Sequence, residues 1–259
     1  MNTTQADPAR RHGGDCPGKL YLIGIGPGGR QHRTFRAVQA IGESQVVVGY
    51  SRYVQMIGDL LDGKEVLASG MTAEVERCRS ALGRAVSGQT VALISSGDAG
   101  IYGMAGLAME LAHAQGLCVP MEVVPGVTAA SAAAAALGAP LMLDFAAISL
   151  SDLLVPWETI RTRLQAVARA DLVVALYNPR SKTRVRQLEE AVEILRAARP
   201  GLTPVGVVTA AGHDGQSRFV TDLAHVLEAR IGMRSIVIVG NSTTRLLDGW
   251  MVTERGYRK

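Results

Sequence analysis

Short unbroken apolar runs alternate along this chain with stretches whose apolar residues recur every three or four positions. The runs at 19–25, 45–48, 91–94, 121–124, 145–150, 172–176, 205–209 and 235–239 predict strands. Each is too short for a helix, and none is interrupted by the polar alternation of a half-exposed strand, so burial on both faces is expected. Between them the periodicity predicts helices over roughly 33–41, with Phe35, Val38 and Ile41 on one face, and over 101–113. A third begins at Thr72 as N-cap, has Glu74 and Glu76 near its positive end, buries Val75, Cys78, Leu82 and Val86, and stops at Gly88. A small-residue helix ends near Leu137. Further helices are expected over 157–168 (Ile160, Leu164 and Val167 inward), 183–198 and, briefly, 223–229. Strand–helix alternation predicts an α/β fold with largely parallel or mixed sheets covered on both faces. The break at Gly138-Ala139-Pro140 suggests two α/β domains, 19–138 and 139–259, with a cleft between them. The polar stretch 1–18, with Pro8, Gly13, Gly14 and Pro17, reads as a disordered tail without the hydrophobic segment of a secretory signal.

The chemistry gathers where strands end. The strand at 91–94 breaks into Ser95-Ser96-Gly97-Asp98-Ala99-Gly100, small residues plus one carboxylate. Such turns at the carboxyl edge of a parallel sheet present backbone amides to ligands, and also serve as ordinary connections. Gly24, Gly26 and Gly29 satisfy G-x-G-x-x-G after the first strand, the dinucleotide fingerprint. The second strand ends Val46-Val47-Val48-Gly49-Tyr50-Ser51 with no acid for a ribose, and Pro27 removes an amide, so an NAD-linked oxidoreductase is the weaker reading. Pro125-Gly126-Val127-Thr128 repeats the strand-end pattern, with Thr128 placed to cap a helix or donate to a ligand. Asn178 to Arg186 sets four basic residues at an expected helix start, unfavourable against the helix dipole unless an anion or the later glutamates compensate. His213 and Asp214 follow another strand and suit either acid–base work or a structural turn.

Composition narrows the classes. The 259 residues carry a net charge of +4 with 4% aromatics, which suits an acidic small molecule and argues against nucleic acid. Cys16, Cys78 and Cys118 are isolated, without zinc spacing, and suit a reducing cytoplasm. The longest small-residue apolar run, 127–137, is too short to span a membrane. No G-x-S-x-G elbow and no His/Cys/carboxylate cluster supports a hydrolase or a metal site.

Taken together, GIGPG at 24–28, SSGDAGIYG at 95–103, VVPGVTAA at 123–130, ALYNP at 175–179 and VTERGY at 252–257 resemble the tetrapyrrole (precorrin) methyltransferase family. Residues 46–53, 144–157 and 173–184 most resemble members that methylate carbon 17 of a precorrin with ring contraction, in cobalamin biosynthesis; members acting on other carbons share the skeleton. The resemblance implies a homodimer binding S-adenosylmethionine, with S-adenosylhomocysteine as product, and an acidic tetrapyrrole. Pro27, Ser96, Gly97, Asp98, Ile101, Tyr102, Thr128, Ala129, Tyr177, Asn178 and Ala210 would line the cofactor. Gly28, Arg30, Arg52, Arg180 and Arg184 would meet the substrate, whose carboxylates suit arginine forks. Asp144, Ser149, Asp152 and His213 are the candidates for proton transfer. Many family members carry Asp after the first glycine loop, where this chain has Gly29-Arg30. A non-enzymatic tetrapyrrole carrier is the remaining alternative.

Overall fold

Residues 18–257 are described, in a computed structural model; the expected tail lies outside the described residues apart from Gly18. The chain runs β1 (Lys19–Gly24), α1 (Phe35–Glu43), β2 (Val46–Tyr50), α2 (Ser51–Met56), β3 (Glu65–Ser69), α3 (Glu74–Val86), β4 (Thr90–Ser95), α4 (Ala105–Ala114), β5 (Met121–Val124) and α5 (Ala129–Leu137). It continues through β6 (Gly138–Ala139), β7 (Phe145–Ser149), α6 (Trp157–Arg169), β8 (Val173–Tyr177), α7 (Arg186–Arg196), β9 (Pro204–Thr209), β10 (Ser217–Asp222), β11 (Ser235–Val239), β12 (Thr244–Leu247) and β13 (Trp250–Thr253).

The first sheet, ordered β3-β2-β4-β1-β5, is parallel throughout. Its apolar strands are covered on one face by Cys78, Ala81, Leu82 and Ala108, and on the other by Ala37, Ile41 and Ile57. The second sheet, ordered β10-β9-β11-β8-β7, is mixed: β7 and β8 run parallel, whereas β8, β11, β9 and β10 alternate in direction. Helices α6 and α7 cover one face of it. Helix α5 covers the other, burying Ala130, Ala133, Ala134 and Leu137 against Val173, Ala175, Ile236 and Ile238. Although α5 precedes the Gly138 break, it packs on the second sheet. Its alanine face allows close approach: a Cβ on Gly206 would stand 2.3 Å from Leu137 Cδ1.

Several helix details differ from the periodicity. Helix α1 buries Ala37, Ala40 and Ile41, while Phe35 is 97% exposed. Its start is fixed by Thr34, whose hydroxyl accepts from Ala37 N at 3.1 Å. Thr72 does not cap α3: it sits at φ 64°, and Ala73 takes the cap position without a side-chain bond. In α3, Val75 and Val86 are exposed and Arg77 is buried, because its guanidinium reaches Ser69 Oγ at 2.9 Å and the Gly70 carbonyl at 2.7 Å. Burial pushes the Cys78 thiol up to about 11, a thiol that stays protonated. Helix α4 starts at Ala105 rather than Ile101, because Ser95 Oγ accepts from Met104 N at 3.1 Å and Ala99 O accepts from Ala105 N at 3.0 Å. Among the described residues no helix is long and apolar enough to cross a membrane.

The packing yields a stability test. Leu137→Ala should cost roughly 2–5 kcal/mol, since Leu137 is fully buried and its glycine-walled socket cannot collapse onto the cavity. Gly106→Ala, on a helical site with open space around it, should instead stabilise by roughly 0.4–1 kcal/mol. Urea denaturation of both variants checks the signs.

Candidate active site

A parallel sheet delivers the ends of neighbouring strands to one edge, so β4, β1 and β5 place the loops at 95–101, 24–29 and 125–128 side by side. They meet backbone to backbone. Gly26 N donates to Gly97 O at 3.0 Å and Gly97 N to Gly26 O at 2.7 Å. A Cβ on Gly126 would stand 2.1 Å from Gly97 O, and one on Gly24 2.7 Å from both Gly97 O and Gly126 N. Only glycine fits there. Asp98 staples the arrangement: Oδ1 accepts from Gly100 N at 2.8 Å and Oδ2 from Gly126 N at 2.9 Å. Gly29 N donates to Gly212 O at 2.6 Å, and Gly28 is buried with its Cβ position 2.1 Å from the same oxygen. The first glycine loop therefore packs against the turn after β9. Its Gly26 and Gly29 amides, which a pyrophosphate would need, already have protein acceptors.

The facing wall comes from the second sheet. Tyr177, at the end of β8, is 8% exposed; its hydroxyl meets Thr128 Oγ1 at 2.6 Å and accepts from Ala130 N at 3.0 Å, tying down the start of α5. Its ring lies 5.0 Å from that of Tyr102, tilted by 55°. Tyr102 crosses from the first loop system to β7, donating to Ala147 O at 3.0 Å and accepting from Ser149 N at 3.1 Å. Burial raises the pKa of its phenol. Tyr102, Asn178 and Ala210 all hold positive φ, at 54°, 49° and 55°. Such conformations cost non-glycine residues roughly 1–3 kcal/mol apiece and persist only where the surroundings impose them. Here Arg184 donates to Asn178 O, and Ala210 N to Arg234 O at 2.9 Å.

Between the walls lies a cleft of about 410 Å³. Pro27, Ser96, Gly97, Asp98, Ile101, Tyr102, Thr128, Ala129, Tyr177, Asn178 and Ala210 all line it. Tyr53, Gln55 and Met56 also line it, from a helix α2 too short to give a periodic signal in the sequence, as do Met233 and Arg234. A second, more open cavity of about 630 Å³ shares Arg52, Met233, Arg234 and Ser235 with the cleft and adds Arg180 and Arg230.

The remaining expected residues divide. His213 lines the cleft. Ser149 ends β7 beside it, its Oγ accepting from Asn178 Nδ2 at 3.0 Å and Ser151 N at 3.2 Å. Asp144 precedes β7, roughly 16 Å away along the strand at the opposite edge of the sheet. Asp152 is exposed and accepts from Gln187 Nε2 at 2.8 Å. Gly28 is a packing residue, and Arg30 points to solvent with Asp59 at 3.3 Å. Arg184 bonds the Leu150 and Asn178 carbonyls, its burial lowering the guanidinium pKa, so it braces the Asn178 turn rather than lining either cavity. The basic cluster does not crowd a helix start, because α7 begins only at Arg186, which pairs with Glu190 at 3.8 Å. Among the described residues no cluster of His, Cys, Asp or Glu could hold a metal.

Residues 19–227 match the model of the tetrapyrrole (corrin/porphyrin) methylases. A probable cobalt-factor III C(17)-methyltransferase of Salmonella typhimurium is 48% identical, over 92% of this chain and 99% of its own. A precorrin-3B C(17)-methyltransferase of a Sinorhizobium species is 40% identical, over 89% and 92%. The crystal structure of the methyltransferase CobJ superposes with a TM-score of 0.85 at 36% identity, covering 92% of this chain and all of that one. A uroporphyrin-III C-methyltransferase from Thermus thermophilus, solved with S-adenosylhomocysteine, gives 0.65 at 26% identity over 86% and 97%.

Tyr177→Phe keeps the ring but leaves Ala130 N without its acceptor, and should cost about 1–3 kcal/mol in urea denaturation. Thr128→Val, which leaves that amide bonded, should cost less; equal losses would contradict the role given to the Tyr177 hydroxyl.

Proposed function

The chain belongs to the tetrapyrrole methylase family, and on that premise we propose that it transfers a methyl group from S-adenosylmethionine to carbon 17 of a precorrin-type macrocycle, with ring contraction, in cobalamin biosynthesis. One observation carries the reading: every residue expected at the cofactor on motif grounds falls on the wall of one cleft, although they come from five separate stretches of chain. The cleft also fits the cofactor chemically. Its walls are main chain and small side chains, with Asp98 a carboxylate that would suit a cationic sulfonium and Met56, Ile101 and Tyr102 offering apolar surface. S-adenosylmethionine supplies an electrophilic methyl group.

What the protein supplies is alignment. Displacement at a methyl carbon needs no nucleophilic side chain, and holding reactants in attack geometry is worth ~7–11 kcal/mol. The glycine contacts and the Tyr177 and Tyr102 bonds provide rigid walls for that purpose. Ring contraction calls for proton movement. Of the candidates, His213 lies on the cleft wall and Ser149 beside it, which favours these two over Asp144 and Asp152. Because both acceptor sites of Ser149 Oγ are occupied by N–H donors, its own O–H is left to donate. The relatives' names differ over cobalt and share methyl transfer to C(17).

We place the protein in the cytoplasm as a homodimer, a reading supported by the free thiols of Cys78 and Cys118 and by the 80% and 91% exposure of Leu153 and Leu154 beside the edge strand β7.

Calorimetry should show S-adenosylhomocysteine binding at micromolar affinity and no binding of NADH. Incubation with methyl-labelled S-adenosylmethionine and either precorrin-3B or cobalt-factor III should place the label on carbon 17 of one product by NMR. Label on another carbon, or no transfer to either ring, would overturn the proposal.

A further inference from the structure

Four arginines line the open cavity that adjoins the cleft: Arg52 from α2, Arg180 from the turn after β8, and Arg230 and Arg234 from the segment leading into β11. Among the described residues no carboxylate lines this cavity. Arg180 pairs with Glu189 at 3.2 Å, but Arg52, Arg230 and Arg234 are exposed and make no side-chain hydrogen bond or ion pair among the described residues. Like charges gathered in one concavity repel, and a bound polyanion relieves that repulsion. Met233, half exposed between Arg230 and Arg234, adds an apolar surface at the junction with the cleft. Guanidinium forks around an apolar floor suit a flat ring edged with carboxylates.

Resting on the function proposed above, we propose that Arg230 and Arg234, with Arg52 and Arg180, clamp the carboxylates at the rim of the macrocycle and so determine which ring carbon faces the methyl group. Contact between an apolar floor and the face of a macrocycle hardly changes as the ring turns about its own normal. Several similar carbons could then be presented in succession. Only directional contacts at the rim break that degeneracy, and planar forks carried on separate elements are the directional contacts this cavity has. Arg52 stands on the first half of the chain and the others on the second, so a substrate held by all four spans both walls. Arg230 and Arg234 are specificity residues on this account, not catalytic ones.

The test uses the full-length protein with Arg230→Gln, Arg234→Gln, the double variant and Arg234→Lys. Both side chains are exposed, and the Ala210–Arg234 bond uses the backbone carbonyl, so folding should be retained, as an unchanged urea midpoint would confirm. Each Gln variant should raise the KM for the tetrapyrrole roughly tenfold, and the double variant should methylate a mixture of carbons, read by NMR of the labelled product. Arg234→Lys should restore part of the affinity and less of the regiochemistry, because a lysine keeps the charge without the fork. Binding of uroporphyrin III and of coproporphyrin III, which carries half as many carboxylates, should differ in the wild type and converge in the double variant. Unchanged KM and a single product in the double variant, with wild-type turnover intact, would overturn the clamp alone; absence of turnover in the wild type would instead overturn the function on which it rests.

Discussion

Three loops cannot stand side by side at a sheet edge unless their backbones touch, and that contact is what the rest of this molecule is arranged around. A methyl group on Gly24 or Gly126 would collide with the Gly97 carbonyl, and Asp98 closes the cluster by accepting backbone amides from both sides. Gly26 and Gly97 pair amide to carbonyl in both directions, so that pair can be buried without unpaired main chain. Because the loops leave adjacent strands of an all-parallel sheet, their spacing is inherited from the ladder rather than from side-chain packing. Rigidity at this edge is therefore a property of topology.

The second sheet supplies the facing wall, and two tyrosines join it to the first. Tyr177 reaches back to Thr128 and Ala130, and Tyr102 reaches across to the backbone of β7. The left-handed conformations of Tyr102, Asn178 and Ala210 gather on this line of contact, each held by a hydrogen bond from a different element. Local strain at a cleft wall, imposed by the fold around it, is how a protein fixes side chains that must not move when a reactant arrives. The cavity beyond is different in kind: open and charged, with Arg52, Arg230 and Arg234 exposed and Arg180 paired with Glu189.

Much of this was legible in the sequence, for identifiable reasons. Buried strands of the first sheet carry unbroken apolar runs, and the strand-end turns announce themselves by glycine and proline. The edge strands β3 and β10 were invisible because their exposed residues, such as Glu65 and Arg218, interrupt the run. The alternating directions of the second sheet leave no mark in an apolar run either, since a strand buried on both faces looks the same whichever way its neighbour points. The phase of α1 departs from the periodicity because alanines at 37 and 40 do the burying while the large Phe35 faces solvent. Arg184 and Arg180 share one basic stretch and could not be told apart by sequence. One braces a strained turn through carbonyls, and the other lines the cavity. Arg230 and Arg234 carried no motif at all. Their relevance appears only when β11 is seen to enter beside the cleft.

On the function proposed, the loops at 97–102, 127–130, 177–179 and 210–212 would hold the methyl donor through their backbone. Hydrogen exchange with and without S-adenosylhomocysteine reads those amides individually. The account predicts slowed exchange in all four segments together, with little change at 45–51. Protection confined to the first glycine loop and the end of β2, the places a dinucleotide would occupy, would contradict it.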